Sequence, residues 1–472
     1  MRITPIVLLG LALIVGAGLR FTGLNLYEMS ADEGASWAAA AQPSFLKVIE
    51  SQRRLNPAEL GLHDVSLHYW MDAFGDSLAA MRALSALAGT LAILLTWLAA
   101  RELLALNAAN GSPAIGDYRD LAAGLAALLI AVNLITIKYS LELRMYPLML
   151  ALVLAQVACF LRTARGGTLT SYFGTAIFTA LAIGAHPMAI LVFASEGAWI
   201  LCPIIQHWQN LSQAPVRKLV YLASSVGAGL ILAGIAAYPV LRSGDRSAHR
   251  GLLNWVQQPP LWEPFALFNK GIGSVAFPVF AALAIWGAIR GWRRARSATI
   301  FALLWMWLPP FALMIGSYAV HPVFVERYLL AAFVPFFILA AIGIMELPSD
   351  RMRAAATMLA VVLALGHDYA WSRKPHDAQW HEGARIAAAA AGGKPFEVAP
   401  GYAVNVVRYY LRDAPAAAGL ARQADTAGTG GDVLLLSDQS KGRVAQELAA
   451  QYPHVVVHLR GLDVRSIARN RN

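Results

Sequence analysis

Residues 4–19 read TPIVLLGLALIVGAGL and residues 20–33 read RFTGLNLYEMSADE, so an uncharged apolar stretch is followed by a turn and then by the adjacent carboxylates Asp32 and Glu33. As a helix, such a stretch reaches about 24 Å, most of the hydrocarbon thickness of a bilayer. Similar runs return at residues 78–99, 121–137, 147–161, 171–186, 188–206, 219–240, 271–289, 298–318, 328–345 and 354–368. Of the 472 residues, 58% are hydrophobic and only 14% charged, too little polar surface for a soluble protein of this length. The pattern predicts a polytopic α-helical membrane protein with about 11 transmembrane helices. Met1-Arg2 ahead of the first run also suits a secretory signal peptide; a retained helix is the preferred reading.

Orientation follows from the basic residues. Arg2, Arg101, Arg162, Arg165, Arg217, Lys218, Arg290, Arg293, Arg294, Arg296, Arg351 and Arg353 fall in connections on one side, which the positive-inside rule makes cytoplasmic. An odd number of spans then places the tail outside. The net charge of +10 is mostly a topology signal and a grip on anionic membrane lipids, so nucleic acid is not an expected partner. Cys159 and Cys202 both lie inside predicted spans, which excludes an extracytoplasmic disulfide framework.

The division expected is a transmembrane module over residues 1–368 and a small extracytoplasmic α/β domain over residues 369–472. Within the module, residues 20–77 form the first outer loop, and residues 42–76 suit one or two amphipathic helices on the membrane surface. The 241–270 connection mixes Trp255 and Trp262 with Arg242, Arg246, His249 and Arg250, a make-up that suits lipid phosphates or plain aromatic anchoring. In the tail, residues 396–399, 432–436 and 454–459 predict short buried strands, and residues 379–391, 402–412 and 441–452 predict helices. Neither a phosphate-cradling glycine loop nor a nucleophile elbow is present there, so a lid or acceptor-facing role is expected.

Ionisable side chains at the membrane edge are costly unless paired or facing a watery cavity, which makes each a site candidate. Asp32, Glu33, Glu142, Arg144, His186, Glu326 and Arg327 all sit at the outer ends of predicted helices. Carboxylates with arginines suit group transfer from a lipid phosphate to an acceptor hydroxyl. A carboxylate takes the acceptor's proton, and forked guanidinium donors hold the phosphate that leaves. Plainer readings stand beside these. Ser30 or Asp32 can cap a helix over 33–41, Glu33 suits a first helical turn, and arginines at helix ends snorkel to headgroups. Glu142 and Glu326 are expected as ion-pair partners of the arginines or as substrate contacts. His186 and His321, each followed by proline, serve the substrate or mark helix breaks.

Several stretches resemble one known family. Asp32-Glu33 after the first helix, Leu67-His68-Tyr69-Trp70 leading to Phe74-Gly75-Asp76-Ser77, Arg82 with Ser85, Ser140-Leu141-Glu142-Leu143-Arg144-Met145-Tyr146-Pro147, and Glu326-Arg327-Tyr328-Leu329-Leu330 are similar to signature stretches of glycosyltransferase family 39. That family holds protein O-mannosyltransferases and bacterial lipopolysaccharide-modifying enzymes of the GT-C superfamily, and the likeness runs over roughly residues 1–345. It implies an inner-membrane enzyme with a polyprenyl-phosphate-linked sugar donor, an inverting displacement on the extracytoplasmic face, and a glycan, lipid or protein acceptor. By the resemblance Asp32 is the base and Glu33 orients a substrate. Arg144 and Arg327 bind the donor phosphate, Tyr146 and Tyr328 shape the site, and His68, Tyr69, Arg246 and His249 are further substrate-binding candidates. The chain departs from the pattern twice. Val65-Ser66-Leu67-His68-Tyr69-Trp70 lacks the usual prolines, and Gly34-Ala35-Ser36-Trp37 replaces the usual alanine and tyrosine after the acidic pair.

The main alternative is a transporter or lipid flippase. Its charges would line the bilayer midplane on broken helices, whereas the middle of these spans is nearly clean. His63 and Asp64 with Asp32 are the only hint of a divalent metal, and no ligand cluster of metal spacing indicates a cofactor.

Overall fold

The computed structural model describes the chain apart from residues 1–3, 58, 107–115, 207–215, 243–255, 375–377, 425–430, 439–442 and 468–472. It forms two compact units. One comprises Met1–Gly23, Pro57–His63 and Arg82–Arg373, and the other Leu24–Asn56, Asp64–Met81 and Lys374–Asn472. Two segments of the predicted outer loop therefore group with the tail.

In chain order the first helices are α1 (Pro5–Phe21), α2 (Ala31–Ala40), α3 (Phe45–Leu55), α4 (Leu62–Phe74), α5 (Leu78–Ala105), α6 (Gly116–Ala131), α7 (Leu134–Ser140) and α8 (Tyr146–Ala164). Then come α9 (Leu169–Ala185), α10 (Ile190–Gln206), α11 (Val216–Arg242), α12 (Glu263–Ile272), α13 (Phe277–Arg294), α14 (Arg296–Ala319), α15 (Leu330–Met345) and α16 (Asp350–Ser372). Every predicted apolar run falls on helix, and two are interrupted: α6 and α7 meet at 58°, and α12 and α13 at 115°. Among the described residues six helices are long and apolar enough to cross a membrane, or eight if each bent pair is one span. The count by length is below the expected one because α1, α9 and α10 are apolar but only 17 residues each.

The α6–α7 break exposes backbone groups that a bilayer would not satisfy, and the sequence supplies replacements. Asn133 caps α7 by accepting the Ile135 N–H at 3.2 Å. Thr136 Oγ1 donates to the Ile130 carbonyl at 2.7 Å. Arg20, fully buried at the end of α1, donates to the Ala131 and Gly16 carbonyls at 2.9 Å each, to Thr136 Oγ1 at 3.0 Å and to Ser140 Oγ at 3.2 Å. A buried guanidinium is tolerated because its forked donors meet acceptors on three helices at once.

Elsewhere the bundle closes by direct backbone approach. A Cβ built on Gly287 of α13 would lie 1.9 Å from the Leu339 carbonyl oxygen, and one on Gly343 of α15 would lie 2.0 Å from that of Leu283. Small residues let these two helices touch without a hydrophobic driving force.

Four of the arginines predicted to share one side, Arg101, Arg165, Arg290 and Arg294, pair with carboxylates along one edge of this unit. Glu346 accepts from Arg290 at 2.9 Å, from Arg294 at 2.7 Å and from the Tyr118 hydroxyl at 2.8 Å. Arg101 pairs with Asp120 at 2.8 Å, and Arg165 pairs with Glu102 at 2.5 Å. Helix α8 has 19 residues, so its first residue, Tyr146, lies about 27 Å from this edge.

The second unit holds α2, α3, most of α4 and the tail, with α17 (Trp380–Ala391), α18 (Val404–Tyr410), α19 (Pro415–Leu420) and α20 (Arg443–Gln451). Its strands are β1 (Phe396–Ala399), β2 (Ala421–Gln423), β3 (Val433–Ser437), β4 (His454–Leu459) and β5 (Leu462–Ser466), in the order β2-β1-β3-β5-β4. β1 is parallel to β2 and β3, whereas β5 is antiparallel to β3 and β4. The predicted strands are β1, β3 and β4, of which β4, at the edge of the sheet, is half-buried to exposed rather than buried, and the predicted helices contain α17, α18 and α20. β2 and β5 were not expected. β5 alternates buried and half-buried residues along Leu462-Asp463-Val464-Arg465-Ser466, and Gly461, at φ 72°, makes the tight turn from β4.

Replacing Arg20 by methionine should strand buried acceptors at the α6–α7 break and lower stability by on the order of 3 kcal/mol. Arg20→Lys should recover only part of this, since a point-like ammonium cannot span acceptors on three helices. Thermal unfolding in detergent measures both.

Candidate functional site

At the end of α8 remote from the basic edge, the chain assembles a cluster of cations and aromatic rings. Pro147 in the first turn starts α8 immediately after Arg144. Arg327 lies in the 3-10 turn Glu326–Leu329 that leads into α15. His186 ends α9 in an extended conformation, and its Nδ1 accepts the Met188 N–H at 3.2 Å, which puts the proton of the neutral ring on Nε2.

These elements converge on Tyr146. The Arg144 Cζ lies 5.9 Å and the Arg327 Cζ 5.6 Å from the centre of its ring. The ring centres of His186 and Tyr328 lie 5.7 and 6.3 Å from that of Tyr146 and 4.9 Å from each other. Tyr139 adds a ring at 5.7 Å. Two guanidinium groups near one buried aromatic ring concentrate positive charge where little water reaches.

Sequence reasoning did not single out Glu59. Its Oε1 accepts from Arg144 Nη2 at 2.7 Å, both side chains being buried. Ser85 Oγ donates to the Arg144 carbonyl at 3.1 Å, so a residue of the resemblance holds the backbone next to the charge. Glu142 and Glu326, the expected partners, both act electrostatically on the Tyr139 hydroxyl, as does Arg327. His321 lies in the connection before the 3-10 turn, its Nδ1 3.0 Å from the Pro322 carbonyl oxygen.

The acidic pair belongs to the second unit. Ser30 is the cap of α2: its Oγ accepts the Glu33 N–H at 3.3 Å while Glu33 Oε2 accepts the Ser30 N–H at 2.8 Å. This reciprocal capping box commits the buried Glu33 to the helix start. Asp32, one residue earlier, is exposed. The tail fastens α2 in place. Tyr410 Oη accepts the Met29 N–H at 2.8 Å, and Trp37 meets Tyr409 edge to face with ring centres 5.4 Å apart. Tyr402, 57% exposed on the turn Gly401–Ala403, is close enough to Asp32 to feel its charge; burial first and then that carboxylate hold the phenol above its usual range. In the same unit His68 Nδ1 lies 2.8 Å from the Ala40 carbonyl oxygen, and Tyr69 is exposed on α4. Arg246 and His249 lie outside the described residues.

Two further groups bear on the alternatives. Glu196 is fully buried within α10 and accepts from Gln156 Nε2 of α8 at 3.0 Å, so the interior of the bundle is not free of ionisable side chains. Among the described residues no three His, Cys, Asp or Glu side chains come together as metal ligands, although His63 and Asp64 are both buried.

No protein-family model matches the chain, and no curated protein matches it in sequence. Solved structures do. ArnT from Cupriavidus metallidurans bound to undecaprenyl phosphate superposes with a TM-score of 0.61 at 13% identity, covering 98% of each chain. The oligosaccharyltransferase of Archaeoglobus fulgidus in its apo form gives a TM-score of 0.55 at 12% identity, over 91% of this chain and 65% of that one.

Removing Glu59 alone should take a buried carboxylate from the Arg144 cation and cost about 3–5 kcal/mol. The Glu59→Ala/Arg144→Ala pair should be less destabilised than the sum of the single variants. A double-mutant cycle on thermal unfolding in detergent measures the coupling. At 12–13% identity the likeness to these solved structures is one of fold.

Proposed function

We propose that the protein is an integral membrane glycosyltransferase that moves a monosaccharide from a polyprenyl-phosphate donor to an acceptor hydroxyl. The observation that carries this reading is the convergence of Arg144 and Arg327 on Tyr146. Guanidinium groups held by packing before substrate arrives are suited to a phosphate whose charge grows as the sugar leaves. A chain of the same fold, ArnT, has been solved bound to undecaprenyl phosphate, which supports a lipid of this type as the donor's carrier.

Asp32 acts as the base in this proposal. Its carboxylate takes the acceptor's proton as the acceptor oxygen attacks the anomeric carbon. The bond from that carbon to the phosphate oxygen breaks, and polyprenyl phosphate departs in a single inverting displacement. The capping role of Glu33 leaves Asp32 as the exposed member of the pair. The reaction is assigned to the extracytoplasmic face of a bacterial inner membrane, on the strength of the basic edge at the far end of α8 and the positive-inside rule. Modification of lipopolysaccharide or another envelope glycan fits that location.

The test is incubation of the purified protein in nanodiscs with a panel of polyprenyl-phosphate sugars, scored by release of polyprenyl phosphate. One donor should be consumed, and a complete lack of release across the panel would count against the reading. Asp32→Asn should lower turnover by about 10²–10⁴-fold with binding of polyprenyl phosphate retained. Arg327→Ala should weaken that binding by about 1.5–3 kcal/mol, measured by titration in nanodiscs. It is a cleaner probe than Arg144→Ala, which also removes the partner of buried Glu59.

A further inference from the structure

The surroundings of Asp32 in the second unit are built largely by the tail. A Cβ added to Gly34 would lie 2.7 Å from Val406 Cγ2 and 2.9 Å from the Val406 backbone nitrogen, so α2 and α18 approach as closely as backbone allows. The Tyr410–Met29 hydrogen bond and the Trp37–Tyr409 ring contact fasten the same pair of helices on either side. Immediately before α18, the turn Gly401–Ala403 packs against α2 and leaves Tyr402 exposed within reach of the charge of Asp32, itself exposed in the first turn of that helix. An exposed ring on a turn packed against the helix start that carries a carboxylate combines an apolar face with a nearby polar group.

We propose that Tyr402 is a specificity-determining residue on the acceptor side, its ring taking the apolar face of a saccharide acceptor whose hydroxyl is presented to Asp32. An aromatic face next to a carboxylate matches a sugar ring, which offers C–H groups on one face and hydroxyls at its rim. A simple alcohol offers the hydroxyl alone. The assignment rests on the glycosyltransferase reading, with Asp32 receiving the acceptor's proton. Tyr402 neither gains nor loses a proton in the step.

Two measurements test it. The first needs no donor: the ultraviolet titration of Tyr402, isolated as wild type minus Tyr402→Phe, should move to lower pH in Asp32→Asn. An unmoved midpoint would refute the juxtaposition itself. The second uses the donor identified in nanodiscs and lets methyl glucoside compete with methanol as acceptor. The wild type should favour the sugar, Tyr402→Ala should reduce that preference about fivefold to tenfold, and Tyr402→Trp should retain most of it. An unchanged ratio in Tyr402→Ala, or no preference in the wild type, overturns the acceptor role. If no donor is consumed by the wild type, the glycosyltransferase reading fails and the acceptor role with it, while the titration still decides whether Tyr402 and Asp32 are neighbours.

Discussion

The bilayer gives no hydrogen bonds, and that constraint organises the larger unit. Helices satisfy their own backbone, so the chain is free to be apolar along their length. Wherever a helix breaks, the orphaned carbonyls must find donors within the protein. At the α6–α7 break the donors are Thr136 and Arg20, a side chain from a helix more than a hundred residues earlier in the chain. The break is thereby a built feature, and the charge that repairs it is the one kind of cation that can reach several acceptors at once. The same logic covers the opposite extreme, the Gly287–Gly343 crossing, where dispensing with side chains brings two backbones together.

How much of this could be read beforehand depended on range. Hydropathy is a local property, and every predicted apolar run falls on helix. The one-sided run of basic residues is likewise additive along the chain, and Glu346, Asp120 and Glu102 pair with four of them, Arg290, Arg294, Arg101 and Arg165. Partnerships across long separations left no local mark. Glu59 sits in an irregular loop with nothing around it to advertise a buried ion pair with Arg144, 85 positions away. Glu196 was hidden for the reverse reason: one carboxyl in a run as apolar as residues 190–206 barely lowers its hydropathy, and Gln156, which meets it, lies forty positions away. Strand β5 does carry a period of two, but at five residues, with two charges, it was too short to stand out.

One departure from the pattern of the resemblance, the residues after the acidic pair, is met by packing. Gly34 and Trp37, which replace the usual residues after the acidic pair, are the positions at which α2 meets α18: the glycine makes room for Val406 and the tryptophan supplies the ring that Tyr409 contacts. A larger residue at 34 would collide with backbone, and a smaller ring at 37 would give up part of the contact. These positions thus belong to the seating of the loop on the tail, and Asp32 inherits its surroundings from that seating. The sequence alone showed the substitutions but not the surface they answer to.

The hydrogen bond from Met29 to Tyr410 joins residues 381 positions apart. During synthesis the apolar helices are all made before Tyr410 leaves the ribosome, so they can insert and pair while the loop bearing Asp32 still lacks the helix that fastens it. The seat of the proposed base is therefore completed only after the apolar helices have been made. A chain interrupted after its final span would carry every residue of the arginine cluster and yet lack the helix that packs on the loop bearing Asp32.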